Sequence, residues 1–191
     1  MDASLHKMIK SETLEAMKTF DVRDDDIWLI TYPKAGTTWA AEIINRIHQT
    51  GNTEYVAAEK NLLFYPEFSI PGRKPLHEEF ADKPSPRTFV THLPGERLPP
   101  QLLQKNAKII YVCRNPKDVA VSFYSHHKVD PYVKDYTEWS QFYEDFINGA
   151  VAFGSWGNHV TYWWKRREQK NVLFHLRGHE EGPERKSKND C

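Results

Sequence analysis

Cysteine is nearly absent: Cys113 and Cys191 are the only two in 191 residues. No disulfide framework can organise the chain, and a reducing cytoplasmic location is expected. Neither sign of charge is in excess, since Lys plus Arg and Asp plus Glu both number 26. That balance removes any global electrostatic case for a nucleic-acid or membrane partner, so an anion site must be local. No window approaches the roughly 18 apolar residues of a membrane span. The N-terminal stretch MDASLHKMIKSETLEAMK is charged throughout and has no apolar core of signal-peptide length. Repeats and low-complexity segments are lacking. The nine His and two Cys show no convincing ligand spacing, so no metal is expected.

What remains is a chain rich in rings, with 39% apolar and 13% aromatic residues. At this length that suffices for one domain with a real core. The first 20 residues read as a helix, on the weak stripe Leu5, Met8, Ile9 and Leu14. Ile27-Trp28-Leu29-Ile30 is a short apolar run typical of a buried parallel strand. Pro33 and Gly36 make a loop, and Ala40, Ile43, Ile44 and Ile47 then keep helical spacing to Gly51. Residues 52–85 hold four prolines and scattered aromatics and read as surface loop with short helices. Strands are expected at Arg87–His92, Ala107–Cys113 and Asn171–Phe174. Helices are expected at Pro99–Gln104, from Pro116 to Lys128, at Trp139–Asn148 and at Ser155–Glu168. This alternation predicts an α/β domain with a central parallel sheet flanked by helices. Ligands of such sheets sit at the carboxyl ends of the strands. There the topology gathers the loop after Ile30, His92 and Arg114.

Tyr32-Pro33-Lys34-Ala35-Gly36-Thr37-Thr38-Trp39 joins a strand to a helix. Gly36 lets the backbone approach an anion, and the helix-start amides with the Thr37 and Thr38 hydroxyls supply donors. Lys34 adds a compact charge. The order differs from the Gly-Lys-Ser/Thr ending of nucleoside-triphosphatase loops, which disfavours a magnesium-triphosphate site. An ordinary turn accounts for Pro33 and Gly36 but leaves Lys34 and two threonines unexplained. By themselves, His92 also reads as a strand-ending residue, Arg114 as a solvated helix start and Trp39 as core.

The segment YPKAGTTW resembles the 5′-phosphosulfate loop of the cytosolic sulfotransferases. SPRTFVTHLP (85–94), AKIIYVCRNPKDVAVSFYSHH (107–127) and GSWGNHVTYWWKRREQKNVLF (154–174) follow in the family's order. The likeness implies a three-layer, P-loop-like α/β fold over 1–174, with the C-terminal part missing. The implied donor is 3′-phosphoadenosine 5′-phosphosulfate (PAPS). A small lipophilic hydroxyl or amine compound would accept the sulfuryl group. By position, Lys34 would stabilise the leaving phosphate, and Ala35, Gly36, Thr37 and Thr38 would complete the loop. Trp39 would stack on adenine, and Arg114 and Ser122 would grip the 3′-phosphate. His92 would be the general base, a task that suits an imidazole near neutral pH. Phe64, Phe68, Phe123 and Tyr132 are candidates for an apolar acceptor pocket, and each also reads as core. His126 to Lys128 reads as a solvated helix end, and Trp163 and Trp164 as packing residues. Val90 stands where many phenol-directed relatives carry lysine, which weakens a simple phenol as acceptor.

The resemblance stops after Phe174. Residues 175–191, HLRGHEEGPERKSKNDC, lack strand or helix periodicity and are expected to be a disordered tail. Read one nucleotide later, a back-translation of this tail can give the family's Tyr-Glu-Asp-Met-Lys-Lys-Asp-Leu, so a frame-shifted end is expected. The family's closing loop and dimerisation motif lie beyond Phe174. Exposed apolar faces and weak or absent transfer activity are therefore expected. The alternative is a non-catalytic, nucleotide-binding or regulatory form. A kinase-like phosphoryl transferase and a membrane-anchored carbohydrate sulfotransferase fit less well.

Overall fold

The computed structural model describes residues 6–51, 65–169 and 171–177. Four strands form one parallel sheet: β1 (Ile27–Thr31), β2 (Thr88–Thr91), β3 (Lys108–Arg114) and β4 (Val172–Arg177), in the order β2-β1-β3-β4. Every neighbouring pair is parallel. Each connection must therefore cross over a face of the sheet. The crossovers carry α2 (Thr37–Gly51) and α3 (Leu76–Ala81), then α4 (Pro116–His127), α5 (Trp139–Asn148) and α6 (Trp156–Trp164). A short α1 (Ser11–Lys18) precedes β1.

Alternation along the strands divides the core in two. Trp28, Ile30, Phe89, Ile109 and Tyr111 face a large aromatic layer with Met17, Phe80, Phe123, Phe142 and Trp163. Leu29, Val90 and Val112 face Ala40, Ala41 and Ile44 of α2. The α2 side is thinner, and Ile43, Ile47 and Leu173 stay exposed there. None of the described helices is long and apolar enough to cross a membrane.

Several expected boundaries move. The N-terminal helix shrinks to Ser11–Lys18, because Ile9 leaves helical geometry to form a β-bridge with Phe68. Strand β2 is shorter than Arg87–His92 at both ends: Arg87 turns into an ion pair and His92 into a cleft. Strand β4 continues past Phe174 to Arg177, in register with Val112, Cys113 and Arg114. A backbone ladder asks nothing of side-chain periodicity, which is why a polar sequence can extend it. Trp163 is buried as expected, whereas Trp164 is half-exposed and meets Phe174 edge-on.

Candidate active site

Three loops at the carboxyl edge of the sheet enclose a cleft of about 470 Å³, within the usual range for small-molecule sites. The first follows β1. Its backbone turns through positive φ at Lys34 (65°) and Gly36 (118°), which directs the chain from strand to helix within a few residues. Helix α2 then begins with no acidic side chain in its first turn, so its free amides and dipole remain available to an anion. Lys34, Gly36, Thr37, Thr38 and Trp39 all line the cleft. Ala35 does not line the cleft: it is fully buried, and its N–H donates to the Tyr32 carbonyl at 3.1 Å. Trp39 is 47% exposed.

Arg114 ends β3, and Ser122 lies two turns into α4; both line the same cleft. Pro116 and the Asn115 cap, which accepts from the Lys117 N–H at 2.9 Å, start that helix. Arg114 donates to the Lys34 carbonyl at 3.3 Å and stands 3.7 Å from Asp118. The loop after β1 is thereby tied to the end of the neighbouring strand β3.

His92 follows β2. Its Nδ1 is 2.7 Å from the Thr31 carbonyl, an acceptor only, so Nδ1 carries the proton and Nε2 is left bare. The Tyr65 hydroxyl donates to Nε2 at 3.2 Å. Burial pushes the imidazole pKa down to about 4, against the opposing pull of the Thr31 carbonyl, so it is neutral at physiological pH. The Thr31 hydroxyl lies 3.2 Å from Nδ1 and 2.7 Å from the Thr37 hydroxyl. With Nδ1 protonated, Thr31 can donate to Thr37, whose own proton is then available to an anion. Behind this turn, buried Glu67 accepts from the Thr91 hydroxyl at 2.8 Å, and that hydroxyl accepts from the Leu93 N–H at 3.0 Å.

The cleft gathers every expected cofactor residue except Ala35, which is packed beneath the loop. Phe68 and Phe123 line it, whereas Tyr132 stands beside it, half-exposed against the His6 ring. Phe64 lies outside the described residues. The reading of His126 to Lys128 as a solvated end is corrected in part. His126 lines the cleft, and His127 is buried with Nδ1 2.6 Å from the Lys134 carbonyl. Helical periodicity places both inward, which a run of polar letters hides. Thr31, Tyr65, Phe153, His6 and Asp130 were not foreseen; each is a single residue outside any motif.

These residues fit an anionic nucleotide: cations and free amides at one side, an exposed indole for a base, and no acidic group at the helix start. The sulfotransferase domain family model matches residues 24–178. The chain is 40% identical over 166 residues to Sulfotransferase 1A1 of Mus musculus, covering 86% of this chain and 57% of that protein. It is 38% identical over 162 residues to Sulfotransferase 1C2 of Rattus norvegicus, covering 83% of this chain and 54% of the relative. It thus spans little more than half the length of these curated relatives. Among solved structures, mouse sulfotransferase SULT7A1 complexed with PAP superposes with a TM-score of 0.75 at 38% identity, covering 90% of this chain and 58% of that one. With the family model matched from Asp24 through the end of β4, this chain belongs to the sulfotransferase domain family.

Proposed function

We propose that the cleft binds PAPS and that the chain transfers its sulfuryl group to a hydroxyl or amine of a small lipophilic acceptor, with His92 as general base. The observation that carries this reading is the joint opening of Lys34 and His92 into one cleft, with the bare nitrogen of His92 fixed by the Thr31 carbonyl. When bound, the donor supplies a sulfuryl group on a phosphate able to leave.

The chain's own residues divide the remaining tasks. The α2 amides and Thr38 hold the 5′ anionic end, Lys34 meets the charge that grows on the leaving oxygen, and Trp39 offers a face to adenine. Arg114 and Ser122 hold the 3′-phosphate. His92 Nε2 takes the acceptor's proton at the place where the Tyr65 hydroxyl now donates, so Tyr65 marks the position of the nucleophile. Phe68, Phe123 and Phe153 keep water from that position. A cytoplasmic location suits the buried free thiol of Cys113.

The test separates binding from chemistry. Titration with 3′,5′-bisphosphoadenosine should show binding that Lys34→Met and Arg114→Ala each weaken by about tenfold or more. His92→Gln should keep that affinity while turnover falls by roughly 10²–10⁴. Nucleotide affinity indifferent to both cation changes rejects the reading. Tight binding with no turnover in the unaltered chain selects the non-catalytic nucleotide-binding alternative.

A further inference from the structure

The imidazole of the cleft already faces a hydroxyl of the chain itself. Tyr65, on the segment that leads to β2, donates its Oη–H to His92 Nε2 at 3.2 Å. Among the described residues it is the one hydroxyl bonded to that nitrogen, since Thr31 meets only Nδ1. Both rings line the cleft together with Lys34. The ring centroids of Tyr65 and His92 lie 5.3 Å apart, at an interplanar angle of 47°. The phenol thus stands where an acceptor would surrender its proton.

That placement is held from several sides. Tyr65 stacks on Phe68 at 4.6 Å and packs against the cluster that holds Leu29, Ala40, Ile44 and Val90. Pro66 follows and restricts the Tyr65 backbone, whose carbonyl accepts the Phe68 N–H at 3.1 Å. Two positions on, Glu67 is fully buried and bonded to Thr91, the residue before His92. Phenol and imidazole therefore ride on two segments joined at Glu67 and Thr91. Groups fixed in this way react with a bound third partner as if within one molecule, without the entropy cost of an encounter. Burial, and after it the nearby Glu67 carboxylate, raise the Tyr65 hydroxyl above its ordinary range. It keeps its proton until a base takes it.

We propose that Tyr65 is a sulfuryl acceptor within its own cleft, so that the chain modifies itself when donor is bound and no external acceptor has displaced the phenol. This rests on the reading of the cleft as a sulfuryl-transfer site. Tyr65 Oη attacks the sulfur of the phosphosulfate, and an Oη–S bond forms. The bond from sulfur to the bridging oxygen breaks, and that oxygen stays on the 5′-phosphate of 3′,5′-bisphosphoadenosine. The phenolic proton passes to His92 Nε2 and from there to water. No further reactant is needed. The product carries an aryl sulfate where a neutral phenol stood. It can no longer donate to Nε2, and its bulk and charge fill the acceptor's position. Self-transfer thereby closes the cleft to acceptors, and a bound acceptor protects Tyr65. An inert Tyr65 would have to leave Nε2 whenever the donor enters, against the Phe68 stack and the Glu67 anchor.

Incubating the full chain with PAPS and no acceptor, then mapping its tryptic peptides by mass spectrometry, tests this without any variant. Cleavage after Lys60 and Arg73 releases residues 61–73, whose only tyrosine is Tyr65. That peptide should gain the mass of a single sulfuryl group, placed by electron-transfer fragmentation on Tyr65 and not on Ser69. The labelled fraction at a fixed time should not change when the chain is diluted, because the reacting groups belong to one molecule. His92→Gln should slow labelling by roughly 10²–10⁴ while affinity for 3′,5′-bisphosphoadenosine is kept. Tyr65→Phe should abolish the label with that affinity also kept. An unlabelled peptide from a chain that binds 3′,5′-bisphosphoadenosine overturns the inference and leaves the transfer reading standing. Label at another residue, label that falls on dilution, or label indifferent to His92→Gln overturns it equally. Failure of the nucleotide to bind rejects the transfer reading itself, and this inference with it.

Discussion

Two arginines stand at opposite edges of one sheet, and their surroundings differ in kind. Arg87, just before β2, gives Nε to Asp26 Oδ1 at 2.8 Å and Nη2 to Oδ2 at 2.6 Å, and also donates to the Asp21 carbonyl. Its guanidinium lies 5.0 Å from the Phe89 ring, and the two side chains of the pair are 3% and 0% exposed. Arg114, at the carboxyl end of β3, is 27% exposed, with Asp118 at 3.7 Å and one long bond to a carbonyl. A cation saturated by partners holds the fold together. A cation left loosely bonded at a strand's carboxyl end is available to a ligand. Changes at the amino edge should therefore cost stability, and changes at the carboxyl edge should cost function.

The largest test of that division is Asp26→Asn. It leaves the Arg87 charge buried without its counter-ion, and should lower unfolding free energy by about 3–5 kcal/mol. Nucleotide affinity, measured per folded molecule at low temperature, should not change. Denaturant unfolding and calorimetric titration check the two halves. A loss of affinity as large as the loss of stability would mean that the edges are not independent.

The same contrast explains what could be read in the sequence. The anion loop is contiguous, so Lys34, Gly36, Thr37 and Thr38 announce themselves through one strand-to-helix junction. Asp26 and Arg87 are 61 positions apart, and nothing local marks them as a pair. Topology placed His92 and Arg114 beside the loop, but only the spaced family segments suggested roles for them. Thr31 looks like any strand-ending threonine, although it joins His92 to the Thr37 hydroxyl of the loop. Strand β4 outran its expected end because parallel pairing with β3 is a property of the backbone. His6 and His126 were assigned to helix and to solvent, since their shared partner Asp130 is visible only in three dimensions.

A pH experiment sharpens the comparison at its carboxyl side. Burial pushes the Glu67 carboxyl up to about 7 from an ordinary 4.5, against the Thr91 bond that favours ionisation. A raised folded value means that the native chain binds more protons than the unfolded chain between these limits. Stability from this group is full below pH 4.5, is lost as pH rises, and levels off above 7. His92 and His159, lowered by burial to about 4 and about 3, act in the opposite sense and cost stability as pH falls below 6.5. Comparing the chain with Glu67→Gln isolates the first effect, because the histidines are common to both. Relative to the variant, the unaltered chain should lose on the order of 3 kcal/mol between pH 4.5 and 7. The amide can place an unbonded N–H where Oε2 now has no described partner, which offsets the curve without altering its slope. A flat difference curve would show that Glu67 is ionised at no extra cost, and the carboxyl edge would then be no more strained by burial than the amino edge.

The smallest effect concerns strain in the backbone itself. Lys34 and Phe153 are the two described non-glycine residues with positive φ, at 65° and 68°, and both line the cleft. Such conformations persist only where their surroundings enforce them. Lysine bears this cost at position 34, and asparagine, whose short amide tolerates the left-handed region, bears less of it. Lys34→Met and Lys34→Asn remove the same charge, so both should weaken nucleotide binding alike. They should differ in stability, with the asparagine variant ahead by about 1 kcal/mol. In a domain of this size that is a rise of roughly 2–4 °C in melting temperature. If methionine is equally stable, the loop relaxes freely once the ammonium is gone, and the carboxyl edge holds no conformational strain at Lys34. If asparagine leads, the chain accepts a strained backbone there in a residue whose charge lines the cleft, and the amino edge, saturated with partners, needs no such arrangement.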